Sequence, residues 1–154
     1  MADQFVVERS ETIAATPEEV FGKVGTLQGW DEWSPWAEMD PDMNKTYSGE
    51  PGTVGSIYSW SGNRKVGEGQ MTITGIDPNA RVAIDLKFLK PFKSENTTEL
   101  LLATNGSGTD VTWRMTGPMT LMTKVMGFIG KTMDKMVGPD FEKGLSKLKR
   151  ISEA

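Results

Sequence analysis

From about residue 43 to residue 117 the chain alternates apolar and polar side chains with period two, and short turns interrupt that alternation. No other feature constrains the fold so tightly. Successive side chains of a strand point to opposite faces, so an alternating strand has one face for a core and one for water. The turns are Gly49-Glu50-Pro51-Gly52, Ser61-Gly62-Asn63, Asp77-Pro78-Asn79, Lys90-Pro91 and Asn105-Gly106-Ser107-Gly108. Each carries the Gly, Pro or Asn that turn backbones require. They delimit six strands, near 43–49, 54–61, 65–76, 80–90, 94–104 and 109–117. Residues 5–14 mix β-branched and polar side chains and read as a further strand. Connections this short between consecutive strands predict an antiparallel meander.

The alternation also assigns faces. Tyr58 and Trp60 fall together, as do Gly69, Met71 and Ile73. Val82, Ile84, Leu86 and Phe88 form an apolar row opposite Ala83, Asp85 and Lys87, and Val111, Trp113 and Met115 form another opposite Thr112, Arg114 and Thr116. In 94–104 the expected inward set is Asn96, Thr98, Leu100 and Leu102, with Glu95 and Glu99 outward.

Helical signals flank the strands. Thr16-Pro17-Glu18-Glu19 is a start signal: Thr16 caps, Pro17 suits the first helical position, and Glu19 can bond back to the cap. Val20, Phe21, Val24 and Leu27 give that helix its apolar stripe, and Trp30 to Trp36 reads as a second short helix ending near Pro35. From 119 to 152 the period becomes helical. Met122, Met126, Ile129, Met133 and Met136 lead into Val137, Phe141, Leu145 and Leu148 on one stripe, with a break expected near Gly130 and a kink or fresh start at Pro139. The expectation is one α+β domain over residues 1–154, in which a curved antiparallel sheet grips a long C-terminal helix.

Composition narrows the chemistry. Among 154 residues there is no cysteine and no histidine. Disulfides, thiolate nucleophiles, thiolate or imidazole zinc sites and His-based triads are thereby excluded. Any catalysis would use carboxylates, Tyr, Lys, Arg, hydroxyls or water. Seventeen basic against 21 acidic residues give −4, which argues against nucleic acid as the main partner. No apolar run approaches a membrane span, and the start lacks a signal-peptide pattern, so the expected location is cytoplasmic.

The candidate site is the interior between sheet and helix. Six of the ten methionines lie from Met115 to Met136, where they either fill core gaps or form an adaptable ligand lining. Gly117, Gly127, Gly130 and Gly138 leave little bulk on the helical side. Inward polar candidates are Tyr58, Trp60, Asn96, Thr98 and Trp113. The lining set is Tyr58, Trp60, Phe88, Asn96, Leu100, Trp113, Met115, Met122, Met126 and Met133, with Tyr58 and Asn96 orienting a ligand and Tyr58 the one weak candidate for a general acid. Asp31, Glu32, Glu38, Asp40 and Asp42 cluster beside Trp30, Trp33 and Trp36 but lack the spacing of a calcium loop, and Gly62 to Gly69 lacks a phosphate-loop pattern. No metal or cofactor is expected.

Several stretches carry a resemblance. Trp30-Asp31-Glu32-Trp33-Ser34-Pro35-Trp36, Tyr58-Ser59-Trp60-Ser61-Gly62-Asn63, Val66-Gly67-Glu68-Gly69, Phe88-Leu89-Lys90-Pro91-Phe92, Trp113-Arg114-Met115-Thr116-Gly117-Pro118 and Asp140-Phe141-Glu142-Lys143-Gly144-Leu145 resemble the START-like (SRPBCC) superfamily, and more narrowly its bacterial polyketide cyclase/dehydrase group. The resemblance spans nearly the whole chain. It implies a helix-grip fold: a seven-stranded antiparallel sheet wrapped around a long C-terminal helix, with two short helices after strand 1. It also implies a cavity for lipids, sterols, plant hormones or polyketides. Some members are aromatase/cyclases assisted by Tyr, Arg, Ser or His; this chain has no His, and no catalytic motif transfers residue by residue. Three functions follow. A binding protein for a hydrophobic or amphipathic small molecule leads. A cyclase or dehydratase would lose most turnover in Tyr58→Phe. An interaction module like the chaperone ATPase activators would expose the tryptophan cluster.

Overall fold

The structure, a computed structural model, describes residues 4–35, 40, 42–63, 67–90, 94–118 and 133–154. Strands β1 (Gln4–Ile13), β2 (Asn44–Ser48), β3 (Ile57–Ser61), β4 (Glu68–Asp77), β5 (Arg81–Lys90), β6 (Ser94–Asn105) and β7 (Gly108–Pro118) form one antiparallel sheet in the order β1-β7-β6-β5-β4-β3-β2. The meander runs from β2 to β7, and β1 closes on β7. Two short helices, α1 (Pro17–Val24) and α2 (Leu27–Trp30), follow β1, and α3 (Met133–Glu153) ends the chain. This is the expected helix-grip α+β fold. The expected positions Gly130, Met122 and Met126 lie outside the described residues.

The faces fall as the alternation requires. Val82, Ile84, Leu86, Asn96, Thr98, Leu100, Leu102, Val111, Trp113 and Met115 are all buried, while Glu95 and Lys87 are exposed. On the outer face, charges pair across strands. Arg114 donates twice to Glu8, at 3.3 Å each, and Arg81 donates to Glu99 and Asp77, both at 3.1 Å. At β4, the pairing with β5 shifts register between Ile73 and Gly75, a local irregularity of the kind that bends a strand and increases its twist.

Helix α3 packs chiefly along β1, with Phe141, Leu145 and Leu148 buried on its inner stripe. The free edge of β1 is blunted in three places. Lys149 Nζ donates to the Thr12 carbonyl at 3.0 Å, the Glu153 carboxylate accepts from the Ala14 amide at 2.7 Å, and Arg9 donates to the Glu8 carbonyl at 2.8 Å. These contacts occupy backbone groups that would otherwise template another strand.

One expectation needs correction. The second short helix is Leu27–Trp30, not Trp30 to Trp36. Thr26 starts it, its side chain accepting from the Gly29 amide at 3.0 Å, and residues 31–33 follow as a turn. Gly25 ends α1 so closely before Thr26 that the cap signal competes with the tryptophan spacing and wins. Of the two alternatives at Pro139, a kink or a fresh start, the fresh start is excluded, since α3 continues through it. The Thr16 cap on α1 stands as expected, accepting from the Glu19 amide at 3.2 Å.

Candidate functional site

Strand pairing sorts the inner face into rows. Tyr58, Met71, Leu86, Asn96, Gly117 and Phe5 lie across the sheet in one row, with Tyr47 at its β2 end. The next row toward one end of the sheet holds Trp60, Gly69 and Phe88. In the other direction come Ile73, Ile84, Thr98, Met115 and Val7, then Ile76, Val82, Leu100, Trp113 and Arg9.

The Trp113 end is packed solid. Phe141 of α3 stacks on Trp113 with centroids 4.0 Å apart and planes 3° from parallel, and Trp30 and Trp33 meet the same ring edge-on at 5.6 and 5.2 Å. Trp30 and Trp33 are buried, and their indole N–H groups donate to Val24 and Lys23, the last carbonyls of α1. A helix end leaves such carbonyls without intrahelical partners, so the two indoles serve as its cap. These two tryptophans are core residues and present no partner surface; Trp36 lies outside the described residues. Leu100 and Trp113, expected in a ligand lining, therefore sit in this packed half. Gly138 and Gly117 do not leave empty space either. A Cβ at Gly138 would strike the Arg9 guanidinium, and one at Gly117 would stand 2.8 Å from Asn96 Cβ and 2.9 Å from the Phe5 ring.

The other half differs in kind. Tyr47, Tyr58 and Trp60 stack in sequence at 5.0 and 5.8 Å, and Phe88 meets Trp60 edge-on at 5.7 Å. Gly69 makes this possible, since a Cβ there would lie 2.6 Å from the Trp60 ring. Trp60 and Phe88 remain partly accessible. Tyr47 was not in the expected set, though its pairing opposite Tyr58 in the first hairpin was the signal that could have found it. Burial, with smaller contributions from Tyr47 and Asp31, raises the Tyr58 phenol well above its ordinary value. That makes it a weaker acid, neutral at physiological pH, and so a hydrogen-bond donor more than a proton source.

Between these halves lie Asn96 and Thr98, 6% and 3% exposed. Asn96 Oδ1 and Thr98 Oγ1 are buried without a hydrogen-bond partner. Their strand neighbours are Leu86, Gly117, Ile84 and Met115, which offer apolar atoms. More than nine in ten buried polar groups have a partner, and each one without costs about 1–3 kcal/mol. Two such oxygens at alternate positions of one strand form an unsatisfied polar spot in an apolar wall. By contrast, the shallow groove of about 430 Å³ lined by Ser10, Glu11, Thr12, Asp110 and Thr112 satisfies itself. There Ser10 bonds Thr112 at 3.0 Å, and Thr12 donates to Asp110 at 2.8 Å. Of the remaining expected residues, Met115 is buried beside Thr98, the Met133 side chain is outside the described set, and Met122 and Met126 are in residues not described.

Among the described residues no cluster of acidic side chains could hold a metal ion. Asp31 is bonded to Lys45 at 2.7 Å, Glu32 to Lys23 at 3.4 Å, and Asp40 accepts from the Asn63 amide at 2.8 Å. No described helix is long and apolar enough to cross a membrane.

The sequence pattern of a family described as "Polyketide cyclase / dehydrase and lipid transport" matches residues 4–153. Comparison with curated proteins yields no match. Solved structures share the fold. Protein CV1439 from Chromobacterium violaceum superposes with a TM-score of 0.68 at 13% identity, covering 97% of each chain. The solution structure of the Aha1 dimer from Colwellia psychrerythraea gives 0.61 at 22% identity, covering 97% of this chain and 96% of that one. The di-domain ARO/CYC StfQ from the steffimycin biosynthetic pathway gives 0.64 at 11% identity, over 97% of this chain and 49% of that one.

Proposed function

The chain belongs to the polyketide cyclase/dehydrase and lipid transport family, and from that premise we propose that it binds an apolar or amphipathic small molecule in the space between the sheet and its helical cover. The observation that carries this reading is the pair of unpartnered oxygens, Asn96 Oδ1 and Thr98 Oγ1, set in an apolar wall. Apolar burial would supply most of the affinity, at about 25 cal/mol per Å² before ordering costs. Polar contacts would fix orientation. Tyr58 and Asn96 share a row but stand three strands apart, roughly 14 Å along the sheet at the usual strand spacing, so they would hold different parts of one ligand. The protein would act as a single cytoplasmic domain, with no cofactor, metal or nucleic acid in its role. Structural neighbours include a di-domain ARO/CYC of a biosynthetic pathway, so a polyketide is one ligand to test.

Native mass spectrometry of protein purified without added ligand tests the reading, followed by a thermal-shift panel of lipids, sterols and aromatics. A retained small molecule, or a shift with one class, is the expected result. A ligand at a hundred times its Kd would add about 2.7 kcal/mol of stability. No retained mass and no shift across the panel would sink the proposal.

A further inference from the structure

The polar spot on β6 has a chemical character that narrows the ligand. Asn96 and Thr98 offer an amide and a hydroxyl, both uncharged, and the side chains flanking them on β5 and β7 are apolar. Among the described residues the inward-facing cations, Lys45 and Arg9, are each paired with a carboxylate. Lys45 stands beside Trp60 on the far edge strand, four strands from Asn96, and is bonded to Asp31 at 2.7 Å. Arg9 lies opposite Trp113, about 7 Å along β1 from the Thr98 row and about 13 Å from the Asn96 row, and is bonded to Glu142 at 3.0 Å. An ionised carboxylate or phosphate seated on Asn96 and Thr98 would be buried with no described counter-charge, a placement that costs far more than burying a neutral group. A hydroxyl meets both needs: it donates to Asn96 Oδ1 and exchanges a hydrogen bond with Thr98 Oγ1.

Given the binding role proposed above, we infer that the site selects an uncharged, hydroxyl-bearing apolar molecule, with its hydroxyl on Asn96 and Thr98, and discriminates against the anion of the same chain length. The two oxygens also destabilise the empty protein, because an unmet buried polar group costs more than an apolar one of the same shape.

Decanol and decanoate, titrated at pH 7.5 by calorimetry against the wild type, Thr98→Val, and Asn96→Leu with Thr98→Val, form the test. Decanol is expected to bind at least tenfold tighter than decanoate, and the variants to lose about tenfold in decanol affinity while the Tm of the empty protein rises by about 2–4 °C. Opposite signs for stability and affinity separate recognition from a folding defect. Should the double variant fail to fold, the near-isosteric Thr98→Val carries the same comparison. Decanoate binding as tightly as decanol would overturn the inference and leave the binding role standing. Undiminished decanol binding by the folded variants would overturn it too, showing the pair to be merely hydrated. Failure of both probes to bind wild type would count against the inference, and the lipid, sterol and aromatic panel would then decide the binding role.

Discussion

Gly144 faces the Trp113 ring from the middle of α3, and its missing side chain is what lets the helix sit there. A Cβ would stand 2.8 Å from Trp113 Cζ3 and 3.0 Å from Pro35 Cδ. Helix propensity alone favours alanine over glycine by about 1 kcal/mol. Overpacking a tight core costs about 1–3 kcal/mol, and here the ring is pinned between Phe141 and two other tryptophans, with little freedom to yield. Gly144→Ala should therefore lower stability by roughly 1 kcal/mol, read as a lower urea midpoint with unchanged slope. A raised midpoint would show that propensity wins and the plug is softer than its geometry. At this scale the sequence was informative about direction and silent about partners. Alternation put Asn96 and Thr98 inward because a strand's period is rigid. It held no information on whether another element would meet their oxygens. Nor could it show that Trp113 would be consumed by Phe141, because that stacking joins residues 28 positions apart across the sheet–helix gap.

At the scale of elements, the strands were legible to within a few residues because turn residues punctuate them. The corner between β1 and β2 was less so. Three tryptophans at helical spacing suggest a helix there, yet Thr26 caps a shorter one and two of the tryptophans serve instead as hydrogen-bond donors to the end of α1. The fastening of the last turns of α3 to the end of β1 was also hidden, since it rests on Lys149 and Glu153 reaching backbone groups of Thr12 and Ala14. Glu153 is its best reporter. The Ala14 amide, then Lys149, holds its carboxyl below the ordinary value of 4.5. A depressed folded value means the contribution is present in full above pH 4.5 and is lost as pH falls through that lower value. Wild type should thus lose stability on acidification over that window faster than Glu153→Gln. Parallel urea midpoints for the two proteins below pH 4.5 would refute the idea that this contact fastens the helix to the edge.

At the scale of the molecule, the absence of histidine and cysteine acquires a measurable meaning. No side chain here has an ordinary pKa between about 6 and 8, which leaves the α-amino group as the one group expected to titrate there unless the fold moves another in. The fold raises Tyr58 away from that window and lowers Asp110 and Glu153 away from it. Asp140 alone among the described carboxyls moves toward it, raised by burial and only partly restrained by Lys143. For a carboxyl raised on folding, the sign is reversed: stability is present below the unfolded value of 3.8 and is lost as pH climbs through the folded one. Two consequences follow. Asp140→Asn should raise Tm at neutral pH, and the gain should vanish below pH 3.8. Tm of that variant should then be level from about pH 6 to 8. A clear slope in that interval would reveal a titrating group inside the protein that the fold does not otherwise disclose. If the profile is level, the protein has no internal proton switch near neutrality. General acid–base catalysis works best with a pKa near the working pH, so a binding or activity profile that bends between about pH 6 and 8 would then report the chemistry of the ligand and not of the chain.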